Sequence, residues 1–125
     1  MLAENVNFGR YGKTFQEGLV QLIFEDRTFA DQITEVLNIE FLDLEYLQVF
    51  VAKVVKYRAK YGKHPSVDVM MSMMRTELDN EDEVTQKQVR EYFARIHSTE
   101  VSGGDYIKET ALDFCRKQKL KEAMM

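Results

Sequence analysis

His64 and His97 are the only histidines in the chain, and so the only side chains whose ordinary titration falls near neutral pH. A general base must sit within hydrogen-bond reach of the proton it removes and be tuned by its neighbours, and the sequence gives neither histidine such company. His64 falls in a Lys63-His64-Pro65-Ser66 turn. His97 falls near the end of a helical stretch, where a contact with the negative pole of the helix dipole is the simpler expectation. Cys115, the sole cysteine, lies between Phe114 and Arg116 at a helical core position. An adjacent cation can lower a thiol pKa, but the spacing favours a small buried thiol over a nucleophile. The acidic run Glu81-Asp82-Glu83 lacks the D-x-[DN]-x-[DN]-G order that wraps calcium and reads as a solvated helix start. Gly103-Gly104 follows no strand and precedes no G-K-[ST], so it reads as a turn between helices rather than a phosphate loop. The sequence contains no G-x-x-x-x-G-K-[ST], no H-E-x-x-H and no C-x-x-C. A chain that does not hydrolyse ATP, is not an enzyme by itself and needs no metal or cofactor is the expectation.

Two further groups have the chemistry of contact rather than catalysis. Met70, Met71, Met73 and Met74 share one short segment, and flexible thioethers suit either an irregular core or an adaptable binding surface. Most are expected inside, with Met73 at the surface. Arg116, Lys117, Lys119 and Lys121 form a dense basic cluster beside Leu120, Ala123 and Met124. A solvated, dipole-complementing helix end and a face for a partner or a nucleic-acid strand are both open readings of that cluster.

The elements that carry these residues follow from apolar spacing. Phe15, Leu19, Leu22 and Ile23 recur at helical intervals behind Thr14, a candidate N-cap, and Phe29, Ile33, Val36 and Leu37 repeat the pattern after a break near Asp26. Asp43 opens what should be the longest helix, in which Leu44, Leu47, Val51 and Val54 are backed by Phe50, Tyr57 and Tyr61. Gly62 and Pro65 end it. Ser66 caps the next helix, whose buried stripe is expected at Val67, Met70, Met71, Met74 and Leu78. Val89, Tyr92, Phe93 and Ile96 mark a fifth helix, and Asp105 is placed to cap a sixth that runs to Met125 with Ile107, Ala111, Phe114, Cys115 and Gln118 on one side. No segment shows strand alternation. The expectation is all-α, a compact bundle of about six helices in a single domain over residues 14–125, preceded by a tail over 1–13 that either moves freely or docks on the rest.

Composition is compatible with that core: of 125 residues, 45% are hydrophobic and 30% charged, far from the balance that keeps chains disordered. The net charge of −4 argues against a wholly nucleic-acid-binding surface while leaving room for a local basic patch. One cysteine makes no internal disulfide, and the chain has neither a leader-like apolar run nor a stretch long enough to span a bilayer. A cytoplasmic protein with no membrane contact is expected.

Phe15-Gln16-Glu17-Gly18-Leu19-Val20-Gln21-Leu22-Ile23 with Phe29, the aromatic Phe41, the run Leu47, Phe50 and Val54 through Tyr61-Gly62-Lys63-His64-Pro65-Ser66, and Tyr106-Ile107 to Phe114-Cys115-Arg116 with Leu120 and Ala123 occur in an order and spacing that resembles the N-terminal domain of DnaB-like replicative DNA helicases, especially phage types. The resemblance covers Phe15 to about Ala123 and rests on order rather than on any one specific motif. It implies a helical head whose last helix begins a helical hairpin, self-association into a dimer or larger ring, and docking of primase or a helicase loader in the primosome. Two departures are plain: the second hairpin helix and the ATP-hydrolysing portion do not occur within these 125 residues, so the chain reads as a piece of a larger protein. Tyr106, Phe114, Arg116, Lys117, Leu120 and Met124 are the expected partner-binding residues. The alternative is a small helical domain that binds nucleic acid weakly through the basic last helix.

Overall fold

The computed structural model describes residues 7–124, and within them every regular element is helical. α1 spans Lys13–Glu25, α2 Arg27–Ile33, α3 Glu45–Tyr61, α4 Val67–Thr76, α5 Glu83–Ile96 and α6 Gly104–Ala123, with 3-10 turns at Gly9–Tyr11 and Ile39–Phe41. The expected bundle of about six helices is therefore present. No helix among the described residues is long and apolar enough to cross a membrane.

Local chemistry sets most of the boundaries. Asp26 ends α1 and caps α2 by accepting from the Phe29 amide at 3.0 Å, Ser66 caps α4 through the Val69 amide at 3.2 Å, and Asp82 caps α5 through the Thr85 amide at 2.7 Å. Gly62 closes α3 in the left-handed region, at φ 67°, a conformation that side chains with a Cβ avoid. Other starts differ from the sequence reading. α1 begins at Lys13 behind Gly12, so Thr14 is already inside the helix rather than its cap. α3 begins at Glu45 behind Leu44, two residues beyond Asp43, and its 17 residues are fewer than the 20 of α6, which is the longest helix. α6 starts at Gly104 behind Gly103 at φ 70°, leaving Asp105 to act through the helix dipole from the first turn and not as the cap. α2 stops at Ile33, so Val36 and Leu37 pack as half-buried loop residues.

α1 is the hub, packing against α2, α3 and α6, while α3 also packs on α5 and α4. Leu19, Val20, Ile23, Leu47, Phe50, Val51 and Val54 have no exposed surface, and at roughly 1.5–3 kcal/mol for each large apolar side chain buried, this shared seam dominates stability. Phe24, Phe50, Tyr92 and Phe93 meet edge-on or tilted across it, with centroids 5.4–6.1 Å apart. From Asn7 onward the N-terminal segment docks. Phe8 is fully buried, its ring lies 4.6 Å from Phe114 and 5.9 Å from Phe15, and its amide donates to the Phe41 carbonyl at 2.7 Å. The buried Gln16 completes that joint, donating to the Phe8 and Gly12 carbonyls and accepting from the Asp43 amide at 2.8 Å. Residues 1–6 of the expected tail lie outside the described residues.

Methionine placement reverses one expectation. Met70, Met73 and Met74 are buried, whereas Met71 and Val67 are exposed. A ten-residue helix wedged along α3 buries the arc through positions 70, 73, 74 and 78, and Met73 falls on that arc at the i+3 step from Met70.

Candidate functional site

The residues expected to meet a partner all lie on α6, but they do not form one face. At about 100° and 1.5 Å per residue, Tyr106 and Leu120 share a side of the helix and stand about 21 Å apart along it, with Glu109 and Asp113 between them. Tyr106 (64% exposed), Leu120 (61%) and Met124 (80%) are the large apolar side chains left in solvent on this helix. Phe114 turns the other way. Its ring packs on Phe8 and, at 5.3 Å, edge-on against Phe41, so it joins the core at the N-terminal segment. Arg116 and Lys117 are exposed beside Leu120. The structure therefore brings Arg116, Lys117, Leu120 and Met124 together at the end of α6 and separates Tyr106 and Phe114 from them.

That end buries none of its apolar side chains. Ile107, Ala111 and Cys115 anchor α6, and no described residue after Cys115 is buried. The remaining helix extends about 12 Å at the usual rise, sustained by strong helix formers such as Lys, Gln, Leu, Glu and Ala and by the Asp113–Lys117 pair at 3.0 Å, four residues apart. The basic cluster is partly engaged there: Lys117 pairs with Asp113, and Lys119 donates to the Glu35 carbonyl at 3.1 Å.

The groups that the sequence offered as chemically active have structural partners. Arg58 donates to His64 Nδ1 at 2.8 Å, and His64 Nε2 meets the Phe24 carbonyl at 2.6 Å. Because a guanidinium only donates and a carbonyl only accepts, the ring proton belongs on Nε2. His64 thus ties the turn after α3 to α1. His97 is exposed at the end of α5, with its ring 4.5 Å from Phe93. Cys115 is buried, and burial pushes its thiol up to about 12, which suppresses the thiolate. Among the described residues no three His, Cys, Asp or Glu side chains cluster as metal ligands.

The most elaborate polar cluster was not legible in the sequence. Glu17 of α1 receives both arms of Arg95 from α5 at 3.0 Å, together with the hydroxyl of Tyr46 from α3, while the Tyr92 hydroxyl donates to the Glu17 carbonyl. Desolvation raises the Glu17 pKa, but the Arg95 and Tyr46 hydrogen bonds and the Arg95 charge together outweigh it, so the carboxyl is held below its ordinary value. Burial, then Glu17, pushes the Tyr46 phenol up; burial, again followed by Glu17, does the same for Tyr92. A carboxylate kept ionised by an arginine fork and two phenols kept neutral make a three-helix clamp with little capacity to accept a proton. The cluster borders a shallow cleft of about 240 Å³ between α1, α5 and α6, further lined by Thr99, Val101 and Ile107. No spacing rule links positions 17, 46, 92 and 95, because each lies on a different turn of a different helix or at a 3-residue step visible only once α5 is placed.

A second basic feature was legible but passed over. Lys53, Lys56, Tyr57, Lys60 and Tyr61 recur at helical intervals along α3 and, with Val69 and Met73 of α4, line a groove of about 340 Å³. Counting consecutive cations finds the end of α6; counting them at a period of three to four residues finds this row.

Comparison with known protein families, with curated proteins and with solved structures finds no match to this chain.

Proposed function

We propose that this chain is the non-catalytic N-terminal head of a DnaB-like replicative DNA helicase, which associates with neighbouring subunits and docks primase or a helicase loader. The observation that carries the reading is the end of α6, which leaves Leu120 and Met124 in solvent beyond the last buried residue, Cys115. Exposed apolar side chains at a helix end that buries none of its own apolar residues call for a covering element, and the second helix of a hairpin, paired with another subunit, is such an element. The helical bundle, the order of residues that resembles the family and the structural engagement of His64, Cys115 and Glu17 all support a joining role.

Sedimentation velocity over a concentration series tests it. The chain should self-associate, and Leu120→Glu with Met124→Glu should return it to monomer while its melting temperature stays unchanged. Phe114→Glu is unsuitable for this purpose, because Phe114 packs on Phe8 and Phe41. A wild-type chain that remains monomeric throughout the series refutes the self-association part of the reading.

A further inference from the structure

We propose that the α3–α4 groove is a contact site for single-stranded nucleic acid, with Lys53, Lys56 and Lys60 engaging phosphates and Tyr57 and Tyr61 stacking on bases. This site is separate from the end of α6 and does not depend on the helicase reading.

The argument starts from charge. α3 contains Lys53, Lys56, Arg58 and Lys60 against a single acid, Glu45, in a chain whose net charge is −4. Arg58 is committed to Asp31 and His64. Lys53, Lys56 and Lys60 have no ion-pair partner among the described residues. Dipole complementarity covers Lys60, which lies in the last turn, but that effect fades within one turn and does not account for Lys53 or Lys56. Three lysines in eight residues span about 10 Å of helix, a row that long side chains can spread over about three phosphates.

The aromatic pair selects among anionic occupants. Tyr57 and Tyr61 lie with centroids 4.6 Å apart, Tyr61 is 55% exposed, and the Lys60 ammonium stands 5.3 Å from the Tyr61 ring. Tyr61 rests on Tyr57 at the end of α3 with more than half of its surface exposed, so one face of its ring is open to a base. A groove with a cationic edge and a ring-bearing floor completed by Val69 and Met73 matches a polymer that alternates phosphates with flat bases. An acidic peptide would use the lysines and have no need of the rings.

Fluorescence anisotropy of the 125-residue chain with a short labelled oligothymidylate tests the proposal. Three phosphate contacts on a single strand predict a log–log salt slope of about −2, so raising salt from about 50 to 200 mM should weaken binding about 20-fold. Lys56→Gln with Lys60→Gln should reduce that slope to about −0.7, and Tyr61→Ala should weaken binding about fivefold or more at constant slope. Arg116→Gln with Lys121→Gln should change neither. All these positions are exposed, and unchanged circular dichroism will establish that the variants fold. No binding at low salt, binding lost through the α6 variants instead, or oligoglutamate binding as tightly as the oligonucleotide and indifferent to Tyr61→Ala would each overturn the site.

Discussion

Replacing Phe8 by Ala removes the fully buried side chain of the N-terminal segment, which Tyr11 also helps to hold by stacking on Phe15, and its cost follows from what surrounds the ring. Phe8 is fully buried between Phe15, Phe41 and Phe114, with centroids 5.9, 6.2 and 4.6 Å away. Losing the transfer free energy of a phenyl ring costs about 2–3 kcal/mol, and the cavity left behind raises the total to about 3–5 kcal/mol if the segment stays in place. A second route competes. The segment can undock, regaining backbone entropy while giving up the Phe8 amide bond to Phe41 and the Gln16 bonds to the Phe8 and Gly12 carbonyls, at about 1 kcal/mol for each good hydrogen bond. The two Gln16 bonds are long, at 3.4 Å, so undocking caps the loss near the lower end of the range, at about 3 kcal/mol. For a domain of this size that corresponds to a fall in Tm of about 10 °C. Thermal denaturation followed by circular dichroism reads the loss, and hydrogen exchange at residues 8–12 separates the routes: protection survives if a cavity forms and vanishes if the segment leaves. A fall in Tm below about 2 °C, with exchange at 8–12 already fast in the wild type, would refute the docking of this segment.

Glu17→Gln removes a carboxylate whose pKa is depressed in the folded state, so the stability it contributes is present above its ordinary value of 4.5 and disappears as pH falls through the lower folded value. Because Arg95 is half exposed, the loss at pH 7 should be about 1 kcal/mol, and urea titrations should show the variant with a flatter pH dependence below pH 5; an unaltered pH profile contradicts the clamp. Cys115 should resist a thiol reagent at pH 8 until denaturant is added, since a rise from 9.0 to about 12 leaves about a thousand-fold less thiolate; labelling of the native protein at the rate of free cysteine counts against its burial. Met71→Glu should change stability by less than about 0.5 kcal/mol and Met73→Glu should cost more than about 2 kcal/mol, and the reverse order in chemical denaturation would restore the exposure expected from sequence.

The sequence was most informative where one residue decides a local conformation. Ser66 begins α4 by satisfying a backbone amide and Gly62 ends α3 at positive φ, as their types imply without knowledge of distant neighbours, whereas Thr14, Asp43 and Asp105 have capping side chains but do not cap. The buried stripe of α5 through Val89, Tyr92, Phe93 and Ile96 was equally direct, because one neighbouring layer covers one face. Legibility failed where the covering layer was unknown. Met73 and Met71 differ by two positions, about 200° around the helix, and only the placement of α4 on α3 decides which of them faces inward. Phe8 lies in a segment without periodicity, so nothing in its neighbours signals that Phe41 and Phe114, from distant elements, help to enclose it. The Glu17 clamp failed for the same reason, its partners being 29 and 78 residues away along the chain.

The position of α1 gives the two exposed surfaces a defined relation. α6 packs on α1 and α2, whereas α3 packs on α1, α4 and α5, so the end of α6 and the basic, aromatic row of α3 belong to layers joined through the central helix. Neither surface draws its residues from the other layer. α1 holds both layers with interior side chains and with the Glu17 and Gln16 bonds, not with any residue of either surface. Leu120 and Tyr61 lie on different helices of different layers, and distant sites without shared partners have additive effects within about 0.5 kcal/mol. One compact core can therefore carry the two proposed surfaces, with sequences that vary independently. The two readings are complementary in physical terms rather than rivals, since the first needs apolar area at a helix end and the second needs unpaired cations beside open rings.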